Sequence, residues 1–156
     1  MTFTPAPTEN QARKTGPFPS GHPRVAPPKV GVMLVNLGTP DGTDFTSMRR
    51  YLREFLSDRR VIEWPRALWY PILYGIVLNT RPKKSGAAYD KIWNRERNES
   101  PLRTFTRAQA EKLALALQGH DEVVVDWAMR YGQPAIETVL DRLTDAGCDR
   151  IVMFPL

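Results

Sequence analysis

Cysteine is nearly absent. The 156 residues hold only Cys148, so no disulfide can form within the chain, and this scarcity fits a reducing compartment. Histidine is almost as rare, at His22 and His120, and neither lies at a short spacing from the other or from Cys148. Metal ligands recur at short intervals, so no metal site is expected from these residues. Phosphate-binding signatures are missing as well. The first apolar run is followed by Gly38-Thr39-Pro40-Asp41-Gly42-Thr43, which lacks G-x-G-x-x-G, and no P-loop lysine motif occurs. No apolar stretch approaches the roughly 20 residues needed to span a bilayer. The best candidate, Trp64 to Leu78, is interrupted by Pro71 and Gly75. No apolar core follows a basic start, so a secretory signal is not expected.

What is present in excess is proline and positive charge, both gathered near the amino end. Residues 1–28 contain seven of the 14 prolines and little apolar periodicity. Such a composition cannot bury enough surface to offset its ordering entropy, which predicts a disordered arm. Arg13, Lys14, Arg24 and Lys29 against Glu9 give the first 30 residues a net +3 of the chain's total +5. Charge concentrated in a tail, rather than on a folded face, argues against a nucleic-acid partner.

From Lys29 onward the pattern changes. Lys29 to Leu37 is a near-continuous apolar run that suits a strand buried on both faces of a parallel sheet. Phe45, Met48, Tyr51, Leu52, Phe55 and Leu56 then recur at helical spacing, with arginines on the other side. A helix is expected around Ser85 to Trp93, with Tyr89, Ile92 and Trp93 on one face. Another is expected from Arg107 to Gln118, ended by Gly119. Val123 to Ala128 reads as a second buried strand. Pro134 opens a helix whose Ile136, Val139, Leu140 and Leu143 face the core, and Gly147 stops it. Arg150 to Leu156 reads as a third buried strand. Strands alternating with helices predict an α/β domain with a parallel sheet flanked by helices, and three strands make only part of such a domain.

Ligands of open α/β sheets bind beyond the carboxyl ends of the strands. Those ends are Leu37-Gly38-Thr39, Arg130-Tyr131 just past the second strand, and Leu156. Arg130 offers a planar fork for carboxylates and Tyr131 a flat face with a hydroxyl. Two plainer roles stand beside these: Arg130 capping a helix or pairing with an aspartate, and Gly38 serving as a turn glycine. The aromatic segment from Trp64 to Leu78 also has two readings. It is either a core helix or an apolar lip that a greasy ligand or a membrane surface could touch.

Five blocks occur in order: GVMLVNLGTPDGTDFTSMRRYLREFLSDRRVIEWPR, RPKKSGAAYDKIW, ESPL, MRYGQPAIETVLDRL and IVMFPL. Together they resemble the opening half of a bacterial ferrochelatase, over about residues 29 to 156. The resemblance implies a chelatase-like, Rossmann-type three-layer fold, with this chain as an incomplete first domain of two. It implies a lyase of heme biosynthesis that inserts Fe2+ into a dicarboxylate porphyrin, both being substrates, with no cofactor required and an iron–sulfur cluster left open. By the same resemblance Leu37 and Gly38 meet a macrocycle face. Tyr89, Ser100, Arg130 and Tyr131 line the pocket or its propionate side, and Trp64, Leu68, Trp69 and Ile72 form the apolar lip. The family's catalytic His and Glu have no counterpart in these 156 residues, which alone are expected to be inactive. The implied location is cytoplasmic, with room for peripheral contact with the inner membrane. A non-catalytic small-molecule or nucleotide-binding module is the alternative. An RNA-binding or scaffold role is the third, supported only by the isoelectric point near 9.6.

Overall fold

The computed structural model describes residues 28–156, so the expected arm at 1–28 lies almost wholly outside the described residues. Three parallel strands form one sheet in the order β2-β1-β3, with β1 at Lys29–Gly38, β2 at Val123–Tyr131 and β3 at Cys148–Pro155. Five helices accompany them among the described residues. They are α1 (Phe45–Ser57), α2 (Arg66–Ile72), α3 (Leu78–Asp90), α4 (Pro101–Ala116) and α5 (Ile136–Asp145). The parallel α/β class expected from the sequence is the one observed.

Alternation along the strands divides the layers. Met33 and Ala128 point to one face, where they are buried with Val139 and Leu143 of α5 and with Cys148. Asn36 and Trp127 point to the other, toward Thr106 and Arg107 of α4. A second core lies beyond the carboxyl end of β2. There Met48, Tyr51, Leu52 and Leu56 of α1 pack with Leu73, Leu78 and Tyr131. Local chemistry sets the helix starts. The Asp44 side chain accepts the amides of Thr46 and Ser47 at 2.9 and 3.0 Å, and Ser100 accepts the amide of Arg103 ahead of Pro101.

Several expectations are corrected. The helix expected at Ser85 to Trp93 is α3, which begins at Leu78, carries Pro82 and ends at Asp90. Ile92 and Trp93 therefore follow the helix. They do not share a face, since Ile92 is exposed whereas Trp93 is buried with its indole N–H on Asn98. Helix α4 starts at Pro101, earlier than expected, because the Ser-Pro pair caps it. Pro134 sits in the loop ahead of α5, where its carbonyl accepts the Met129 amide at 2.7 Å. Arg130 and Tyr131 belong to β2 itself.

Pro71 and Gly75 do not interrupt the 64–78 segment. The chain passes from α2 through a π-helical turn at Leu73–Val77 into α3. This wider turn lies after Pro71, whose ring opposes the carbonyl of Ala67 four residues back, so Pro71 is carried within α2 itself. The Asn79 amide group then donates to the carbonyls of Tyr74 and Gly75, both at 3.0 Å.

Strand β3 was expected to be buried, yet Val152, Met153 and Phe154 are about half exposed. It pairs only with β1 among the described residues, and α4 packs on β1 and β2 instead.

Candidate functional site at the strand ends

Helix α4 and helix α5 lie on opposite faces of the sheet, so the connections that leave β1 and β2 diverge at their carboxyl ends. A crevice opens where neighbouring strands send their chains to opposite faces. That point lies between Gly38 and Tyr131, which pair in register, as do Asn36 and Met129. Leu37 therefore stands beside Arg130. Both side chains are open to solvent, Leu37 at 54% and Arg130 at 42%.

Gly38 makes this junction possible. Its φ is +122°, and a Cβ there would lie 2.0 Å from the carbonyl oxygen of Tyr131. Only glycine allows the two strand ends to approach so closely. The plain role considered for Gly38 thus applies at the strand end, without excluding a ligand above it.

Asp58, at the carboxyl end of α1, organises the crevice. Its Oδ2 accepts Arg130 Nη2 and the Tyr131 hydroxyl, each at 3.0 Å, and its Oδ1 accepts the Arg60 amide at 2.8 Å. These donors, the Arg60 amide foremost and then Arg130, pull the Asp58 carboxyl down to about 2. The same pair raises the Arg130 guanidinium, with the Asp58 hydrogen bond as the leading cause. Arg130 also lies over the Tyr131 ring, 5.7 Å from its centroid. The aspartate partner considered for Arg130 is therefore real, and it leaves the exposed part of the fork free.

Around these residues is an open hollow of about 1050 Å³. Arg50, Arg53, Arg59, Arg60, Arg66 and Arg130 line it, with Glu54 and Asp58 as its carboxylates and Tyr70, Tyr74 and Tyr131 as its aromatic surface. Six cations against two anions make the hollow attractive to carboxylates. Leu37 is outside its lining and adjoins it through Arg130.

The other expected residues separate. Trp64, Leu68 and Ile72 are exposed, at 58%, 62% and 37%; Leu68 and Ile72, four apart in α2, share one stripe of that helix, and Trp64 lies in the bend before it. Trp69 turns inward, packs on the α1 core and donates its indole N–H to the Leu56 carbonyl at 2.8 Å. Tyr89 packs on the same core beside Tyr51, whose phenol is pushed up by burial and then by Tyr89. Ser100 is only 1% exposed, with its hydroxyl committed to the α4 cap. Neither Tyr89 nor Ser100 reaches the hollow. The sequence reading passed over three supports of the crevice. They are Asp58, Glu54 (which accepts the Gly132 amide at 3.1 Å) and Asn36 (which accepts the Leu37 amide at 2.8 Å).

A family model described as Ferrochelatase matches residues 29–156. The chain belongs to the ferrochelatase family. It is 78% identical over 129 residues to the Ferrochelatase of Brucella anthropi, covering 83% of this chain and 37% of that protein. It is 75% identical over 138 residues to the Ferrochelatase of Chelativorans sp. strain BNC1, covering 88% of this chain and 39% of the relative. The chain thus spans less than two-fifths of the length of these curated relatives. Among the described residues, no cluster of three or more His, Cys, Asp and Glu could hold a metal. No described helix is long and apolar enough to cross a membrane.

Proposed function

We propose that this chain supplies one wall of a porphyrin cleft in a ferrochelatase, a lyase that inserts Fe2+ into a dicarboxylate porphyrin in heme synthesis. The observation that carries the reading is the meeting of Leu37, Gly38, Arg130 and Tyr131 at the switch point of a ferrochelatase-family domain. A free-base porphyrin is flat, and two of its inner nitrogens carry protons. Metal entry requires those protons to leave and the ring to bend. A rigid wall that fits the bent ring better than the flat one lowers that barrier. In this reading Leu37 presses on the macrocycle face, and the backbone at Gly38 admits a close approach. Arg130 and Tyr131 orient the acid side chains. Ser100 and Tyr89 support the wall from beneath. Base and metal delivery fall to residues other than these, and the enzyme acts in the cytoplasm.

The test is a titration of the chain with a dicarboxylate porphyrin, followed by tryptophan fluorescence and compared with ATP. Porphyrin quenching should saturate, ATP should leave the signal unchanged, and Leu37→Asp should weaken porphyrin binding about tenfold by placing a charge against the apolar ring. Saturable ATP binding without porphyrin quenching would instead favour a nucleotide-binding module.

The exposed stripe of Leu68, Ile72 and Ile76, with Trp64 just before it and Arg66 beside it, supports peripheral contact with an anionic membrane. In liposome flotation, Leu68→Ser should reduce the bound fraction severalfold. Equal flotation of the two proteins would remove the stripe from any membrane role.

A further inference from the structure

We propose that Asp58 is a positioning residue of the cleft, holding the Arg130 guanidinium and the Tyr131 hydroxyl in the orientation that receives a carboxylate of the ligand. This rests on the porphyrin reading for the identity of that ligand, but the positioning itself does not.

The geometry is specific. One carboxylate oxygen takes both donors from the end of β2, while the other is fixed by the Arg60 backbone amide. Asp58 is therefore clamped on its own element before it meets Arg130. Its side chain is 16% exposed, against 42% for Arg130, so the anion sits beneath the cation and leaves the outward part of the fork to the hollow. Arg60 adds only a loose contact, with its Nη1 3.9 Å from Asp58 and its side chain 81% exposed.

Two effects compete when a ligand carboxylate arrives. Asp58 repels it, but through a solvent-exposed site where charges are strongly screened. Asp58 also removes in advance the rotamer freedom that an exposed arginine would otherwise lose on binding. The second effect should dominate, because the two charges are separated by the guanidinium that each would contact.

The experiment has two arms on the whole chain. Nitrogen-15 spectra of the arginine side chains, with Arg130 assigned by its loss in Arg130→Lys, should show slow guanidinium rotation in the wild type. Asp58→Asn should average it, and Asp58→Glu should restore it in part. Free rotation in the wild type, or no change in Asp58→Asn, overturns the proposal, and the wild-type spectrum decides it even if the variant fails to fold. In the second arm, Asp58→Asn should weaken a dicarboxylate porphyrin about tenfold, with little effect on its dimethyl ester. Tighter binding of the acid would make Asp58 a competitor instead and would also overturn the proposal, as would equal weakening of acid and ester. Absence of any porphyrin binding by the wild type counts against the cleft reading, while the spectra still judge Asp58.

Discussion

Gly38→Ala is expected to destabilise the chain by about 3 kcal/mol or more, the largest loss among substitutions at the described glycines. The residue adopts φ +122°, where an L side chain is strained. The added Cβ would also lie 2.0 Å from the Tyr131 carbonyl oxygen and 2.8 Å from two more backbone atoms of that residue. Backbone cannot step aside like a flexible side chain, so the β1–β2 register must open where the crevice forms. Two other glycines give the comparison its force. Gly86 lies inside α3, where alanine ordinarily gains about 1 kcal/mol. A Cβ there would stand 2.2 Å from the Thr43 carbonyl oxygen, so Gly86→Ala should lose stability despite its better helix propensity. Gly75 has nothing within 4 Å, and Gly75→Ala should gain about 0.5 kcal/mol. Urea unfolding of the three variants checks the order. A wild-type midpoint for Gly38→Ala would mean that the two strand ends are farther apart than described.

Arg107→Met should cost about 3 kcal/mol, because it strands a carboxylate inside the protein. The Glu99 side chain is only 5% exposed, and it is paired with Arg107 and accepts the Thr104 hydroxyl at 2.9 Å. Methionine keeps much of the apolar stem but removes the charge, and it also removes the cation 5.6 Å from the Trp127 ring centroid. Adding Glu99→Gln to Arg107→Met should recover part of the loss, since no unpaired charge then remains. Denaturant midpoints of the two single variants and the double variant measure this. A double variant that loses the sum of both single effects would show that the ion pair carries no coupling.

The strands were legible because apolar runs such as Lys29 to Leu37 and Val123 to Ala128 can bury both faces. The same reasoning misjudged β3. Its Ile151 to Phe154 run identifies a strand, but no residue type in the run states which neighbours cover it. Pro71 misled for a related reason, since a proline predicts a break, yet α2 carries it and the chain runs on through the π-helical turn into α3. Leu37 and Arg130 could be placed together from strand ends alone. Asp58 could not, as its hydrogen bonds reach 72 and 73 residues along the chain, and nothing local marks them. Ser100 carried a local sign in its Ser-Pro pair, a cap signature, and the structure spends its hydroxyl there.

Helix α1 touches the strand ends three times. The Tyr51 hydroxyl reaches the Gly38 carbonyl at 3.3 Å, Glu54 holds the Gly132 amide, and Asp58 holds Arg130 and Tyr131. In the second core α1 packs against Leu73 and Leu78 of the segment that bears Trp64, Leu68 and Ile72. The greasy ledge and the floor of the crevice are thereby both packed against α1. On the proposed reading, the height of the ledge above the crevice is set by the packing of α1, so a change in that packing would be felt at both.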